Sequence, residues 1–196
     1  MSGRVLGITG AIGAGKSAVC QALRARGWSV LDVDDVASES LLDALPEVAR
    51  EVPAAMSAEG RVEKGALIAA MMNDAAVRAR VEALLRPHVV SRINAWIRAL
   101  NGPGALEAAL LFESRLDELC DATLCIQCSR DERRRRVQAR LTASSKHFDA
   151  MEAAQLPEGE KARRAGAVMS TDGQLEKMDL EIDTALKQLG FSSPMG

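Results

Sequence analysis

The sequence predicts an α/β fold: a three-layer sandwich in which a five-stranded parallel sheet carries helices on both faces. Three observations lead there. Strand-like and helical segments alternate along the 196 residues, and crossover helices that return the chain to the same end of a sheet make its strands parallel. A complete G-x-x-x-x-G-K-S loop stands between the first strand and the first helix. A long, almost wholly helical stretch from Ser38 to Leu100 separates the second and third strands. It is too large for a simple crossover and reads as an inserted lobe.

Val5 to Thr9 is apolar enough for a buried strand, and Lys16 through Val19 and Leu23 to Arg26 reads as a helix stopped by Gly27. Between them lies Gly10-Ala11-Ile12-Gly13-Ala14-Gly15-Lys16-Ser17. Strand, loop and helix together form the P-loop unit of nucleoside triphosphatases. Its chemistry accounts for its residues. Backbone N–H groups must turn inward around a polyphosphate, which Gly10, Gly13 and Gly15 permit. The helix opening at Lys16 aims its positive end at the same phosphates. Lys16 should bring its ammonium to the β- and γ-phosphates, and Ser17 should offer its hydroxyl to Mg²⁺. A glycine-rich turn that binds nothing is the alternative, and the flanking strand and helix argue against it.

The second strand, Trp28 to Val33, ends in Asp32-Val33-Asp34. Ligands bind at the carboxyl edge of a parallel sheet. A carboxylate there could accept a proton from an attacking hydroxyl or help to hold Mg²⁺, or the pair could simply cap the next helix. Asn73 or Asp74 can cap a helix carrying Val77, Val81, Leu84 and Leu85, and Pro87 is expected to open another that ends at the turn Asn101 to Gly104. Strand text resumes at Leu106 to Leu111 and at Thr123 to Gln127. Ser129-Arg130-Asp131-Glu132 has the form of a capping box. In the helix it opens, Arg130, Arg134 and Arg135 read as a solvated face. Arg136 and Arg140, four apart, share a face and could clamp a transferring phosphoryl group from a mobile lid. After a break at Pro157-Glu158-Gly159, Ala167 to Met169 is the last strand. Leu175, Met178, Ile182, Leu186 and Leu189 form the stripe of a final helix closed by Gly190, and Phe191 to Gly196 is expected to fray.

A hydrophobic fraction of 47%, a charged fraction of 27% and a net charge of −2 describe an ordinary core-forming domain. Neither a basic balance nor aromatic stacking platforms are present, with two Trp, three Phe and no Tyr, so no nucleic-acid partner is expected. No run is long and apolar enough to span a membrane, and the N-terminal apolar run leads straight into the loop, so a cytoplasmic protein without a membrane partner is expected. Cys125-Ile-Gln-Cys128 sits in a strand, where side chains three apart face opposite ways. We read all four cysteines as reduced and mostly buried thiols rather than a metal or redox pair.

Taken in order, several segments resemble the dephospho-CoA kinase family. They are Gly7 to Ser17, Gly27, Val30-Leu31-Asp32-Val33-Asp34, Leu84-Leu85-Arg86-Pro87, Leu110-Leu111-Phe112-Glu113, Arg136-x-x-x-Arg140 and Ala154-Gln155. The resemblance runs over residues 4 to 173. It implies transfer of the γ-phosphoryl group of ATP, with Mg²⁺, to the ribose 3′-hydroxyl of dephospho-CoA, and a monomer or small homo-oligomer. It further implies an acceptor-binding insertion at about 38–101 and a lid at about 141–160. Asp34 would then be the base or orienting group, with Lys16 and the lid residue Arg140 as catalytic partners. ATP contacts would fall on Gly10, Ala11, Ile12, Gly13, Ala14, Gly15, Lys16, Ser17, Ala18 and Arg136. Asp32, Arg86 and Glu113 would serve the acceptor, Glu113 alternatively ordering water on Mg²⁺. The chain departs from the family pattern at Arg86, where His is usual, at Ala109, where Pro is usual, and at Ala11, Ala14 and Ala18. Ala11 is acceptable only with a negative φ. Ala165 to Thr171 departs most, replacing acidic and amide groups. Another small-metabolite or nucleoside monophosphate kinase, and a non-catalytic ATP-binding homologue, remain alternative readings.

Overall fold

β1 (Val5–Gly10) is buried at every residue, the mark of a central strand. The computed structural model describes residues 3–141, 145–173 and 177–191. β2 (Ser29–Asp32), β3 (Gly104–Glu107), β4 (Ala122–Gln127) and β5 (Ala167–Ser170) complete a sheet of order β2-β3-β1-β4-β5, each pair parallel. The register sets Asp32 beside Glu107 and Glu107 beside Ile8. Along the chain the helices are α1 (Lys16–Ala25), α2 (Val33–Asp43), α3 (Leu45–Glu51), α4 (Lys64–Asn73), α5 (Ala75–Ala99), α6 (Arg130–Leu141), α7 (Ser145–Ala153), α8 (Glu158–Arg164) and α9 (Met178–Gln188).

The chain divides into two compact units, Met1–Asp32 with Ile97–Gly196, and Val33–Trp96. In the first, Leu6, Ile8, Leu124, Ile126 and Met169 from the sheet pack with Val19 and Leu23 of α1 and Ile182 and Leu186 of α9. Each such side chain contributes about 1.5–3 kcal/mol by leaving water. On the other face, α8 packs against β1 and β4. In the second unit, Leu41, Val48, Val52, Leu67 and Val81 form a core of their own. Arg92 ties α5 to α2 through Glu39 at 3.0 Å and Asp43 at 2.9 Å. Asp74 caps α5 as expected, accepting the N–H groups of Ala76 at 2.7 Å and Val77 at 3.2 Å.

Four expectations need correction. No new helix opens at Pro87: α5 runs through it unbroken. Proline removes one hydrogen bond, but Val81 before it and Val89 and Ile93 after it are all buried, and that packing keeps both sides helical. The third strand ends at Glu107, well short of Leu111. Leu111 turns back beneath β1 into space that Gly7 leaves open, its Cδ2 only 3.0 Å from where a Cβ on Gly7 would stand. The apolar run reported burial and not extension. Ser129 does not form a capping box; its N–H and hydroxyl go to Asp172 at 2.7 and 2.9 Å, while Glu132 binds Arg135 and Arg136. Phe191 is core, only 6% exposed, its ring centroid 5.3 Å from that of Trp28 and its face covered by Arg4. Residues 192–196 and Leu175 lie outside the described residues.

Candidate active site

The phosphate loop leaves β1 at the carboxyl edge of the sheet. Gly13 has a φ of 77°, and a Cβ there would stand 2.7 Å from the Arg133 carbonyl oxygen. Gly15, the residue before α1, has a φ of 95°. Both conformations belong to glycine. Among the described non-glycine residues Arg115 has a positive φ, so Ala11 meets its condition. Lys16 folds across the loop, its Nζ donating to the carbonyls of Gly10 at 3.0 Å and Ala11 at 3.3 Å. That posture holds the cation at the mouth of the cradle.

Ser17 points its hydroxyl at a residue the sequence did not single out. Its Oγ donates to Glu107 Oε1 at 3.0 Å, and Glu107 is only 6% exposed. Asp32 is the β2 neighbour of Glu107. Burial first, then the charge and hydrogen bond of Glu107, push the Cys20 thiol far above its ordinary range, and Asp32 adds to the effect. A carboxylate closing an otherwise apolar strand was the available signal, obscured because the strand appeared to continue. Ser17, Glu107 and Asp32 are hard oxygen donors of the kind Mg²⁺ takes. Among the described residues no group of three or more His, Cys, Asp or Glu forms a metal cage. Mg²⁺ is commonly held through one or two carboxylates, with water and substrate phosphates completing its shell.

A cleft of about 470 Å³ opens beside Gly15 and Ala18, between α6, α9 and the residues following β5. Arg136 lines it, pairing with Glu132 at 2.8 Å and donating to Thr171 Oγ1 at 3.1 Å and to the Thr171 carbonyl at 2.9 Å. Thr171 in turn donates to the Ala14 carbonyl at 2.6 Å. Hydrogen bonds from Arg135 and Arg136 hold the Glu132 carboxyl down at about 2.

The arginines of α6 are more engaged than a solvated face would be. Arg130 and Arg134 both pair with Asp149 of α7, at 2.7 and 3.0 Å, and Phe148, fully buried, lies against Arg130, Arg133 and Arg134. Of the three read as solvated, Arg130 and Arg135 keep exposed side chains while Arg134 is partly buried. Arg133, given no role from sequence, is 4% exposed and donates to the carbonyls of Cys128 and Ile12 and to Glu152. The backbone of Arg140 is in the last turn of α6, and its side chain lies outside the described residues. Glu113 accepts the Leu156 N–H at 2.7 Å and pairs with Lys161 at 3.0 Å, while its Oε2 is buried without a hydrogen-bond partner. Asp34 and Arg86 belong to the second unit, Asp34 in the first turn of α2 and Arg86 within α5.

Known proteins resemble this chain over nearly its whole length. The family model for dephospho-CoA kinase matches residues 4–177. The chain belongs to the dephospho-CoA kinase family. Dephospho-CoA kinase of Deinococcus radiodurans is 36% identical over 193 residues, covering 95% of this chain and 92% of that one. A crystal structure of a Thermus thermophilus protein superposes with a TM-score of 0.87 at 34% identity, covering 96% and 99% of the two chains. Dephospho-CoA kinase from Campylobacter jejuni shares the fold at a TM-score of 0.70 and 18% identity, over 94% of this chain and 96% of that one.

Proposed function

We propose that this kinase transfers the γ-phosphoryl group of ATP to the ribose 3′-hydroxyl of dephospho-CoA, giving coenzyme A and ADP. The observation that carries the reading is the family match over residues 4–177, which spans the whole phosphate loop with Ser17 and Glu107. The loop N–H groups and Lys16 receive the polyphosphate, Lys16 exchanging the Gly10 and Ala11 carbonyls for phosphate oxygens. Ser17 and Glu107, with Asp32 beside them, would hold Mg²⁺, which neutralises charge on the β- and γ-oxygens. The cleft beside Ala18, Arg136 and Thr171 has the volume for the base and ribose.

Asp34 takes the proton of the 3′-hydroxyl as its oxygen bonds to the γ-phosphorus, and the bridging oxygen leaves with ADP. Arg140 supplies lid charge to the transferring group, and Arg86 meets a phosphate of the acceptor. Residues 38–101 serve as the acceptor-binding insertion and about 141–160 as the lid. A cytoplasmic setting goes with this chemistry; among the described residues no helix is long and apolar enough to cross a membrane.

The test is an ADP-release assay with Mg²⁺-ATP, comparing dephospho-CoA with a panel of nucleoside monophosphates. Release dependent on dephospho-CoA, with coenzyme A identified by mass, is the expected result. Turnover on a monophosphate alone, or ATP binding without turnover, refutes it.

A further inference from the structure

Lys161 has no exposed surface. A cation there is costly unless its charge and its donors are met. It projects from α8 and pairs with Glu113 Oε1 at 3.0 Å, and it donates to the Ala109 carbonyl. That same carbonyl accepts the Thr9 hydroxyl at 3.4 Å, and Thr9 directly precedes Gly10 of the phosphate loop. Glu113 Oε1 also accepts the N–H of Leu156, just beyond α7, at 2.7 Å. Ala109 follows Glu107 by two residues, and Ala108 N–H is bonded to the Ile8 carbonyl at 3.0 Å. One buried ammonium therefore gathers the exit of β3, the entry to the phosphate loop and the chain between α7 and α8. The Cys125 thiol, pushed up to about 11 mainly by burial, is influenced in the opposite sense by both Lys161 and Lys16. The two cations thus lie near the same strand. Packing alone does not call for a charge here, since an apolar side chain of similar length would fill the volume at no electrostatic cost.

We propose that Lys161 is a positioning residue for phosphoryl transfer: through the Ala109 carbonyl and Glu113 it sets where β3 ends, and so where Glu107 meets Ser17. The proposal rests on the kinase reading above. Lys161→Met strands the partly buried Glu113 carboxylate and is expected to lower Tm as well as kcat. The double variant Lys161→Met, Glu113→Gln removes both charges and keeps an acceptor for the Leu156 N–H. It should recover Tm to within about 2 °C of the wild type, since a buried pair removed as a pair costs little. Its kcat should stay about tenfold or more below wild type, because small displacements of reacting groups are costly. Its Kd for ATP by calorimetry should change by less than about twofold, since the loop N–H groups and Lys16 are untouched. Recovery of kcat together with Tm overturns the proposal and makes Lys161 a packing residue. A weakened Kd with normal kcat overturns it as well. Wild-type protein assayed alongside separates the two readings. No coenzyme A from the wild type sinks both, while normal turnover in wild type and double variant alike sinks this one alone.

Discussion

Glu107→Gln should make the protein slightly more stable and much less active. The exchange keeps the side chain's shape and an oxygen for the Ser17 hydroxyl now held at 3.0 Å. What it removes is a negative charge that is 6% exposed and sits beside Asp32 on the adjacent strand. Neighbouring strands lie about 4.8 Å apart. Two like charges about 5 Å apart at an effective dielectric of about 20 repel by about 3 kcal/mol. Solvent at half-buried Asp32 reduces that to about 1 kcal/mol. Tm should therefore hold or rise by about 2–4 °C. In turnover the same charge acts in a fixed, largely dry position, and such groups are worth about 10²–10³ in kcat. The assay is ADP release with dephospho-CoA, paired with a thermal melt. A kcat within about threefold of the wild type would remove Glu107 from the chemistry. A fall of about 5 °C or more in Tm would make it an anchor for α1 instead.

Asp34→Asn should lower kcat by about 10²–10⁴ while KM for ATP shifts by less than about twofold; steady-state kinetics with ATP varied would reveal a nucleotide contact if KM alone moved. Phe191→Ala should cost about 3 kcal/mol through loss of the Trp28 and Arg4 contacts. That corresponds to a drop of about 6–12 °C in Tm, and an unchanged melt would return Phe191 to the tail. Glu132 has its carboxyl depressed from 4.5 to about 2 by Arg135 and Arg136. Its stabilising contribution is present above about pH 4.5 and lost as pH falls toward 2. Melts of wild type and Glu132→Gln across that range should converge at the acid end, and a constant gap would assign the difference to something other than this charge.

Local chemistry was readable from the chain alone. The glycine loop, the buried run of β1, the cap at Asp74 and the apolar stripe of α9 are each encoded within a few turns of backbone, and the structure holds all four. So is the parallel α/β layout, because alternation of elements leaves few other ways to close a sheet. Tertiary structure alone decided which carboxylate meets Ser17. Glu107 is 90 residues away in sequence and reaches the hydroxyl only because β3 pairs with β1 in one register. Glu113, on the segment that resembled the family, was expected to serve the acceptor or order water on Mg²⁺, and the structure adds its pairing with Lys161 and the Leu156 N–H. Asp172 likewise displaced Glu132 from Ser129, and α7 engaged Arg130 through Asp149 and drew Arg134 partly out of solvent. In each case a strong local pattern lost to a partner brought in from a distant segment. Periodicity and motif spacing report short-range backbone preference, whereas the pairing of charges depends on where the folded sheet places its strand ends.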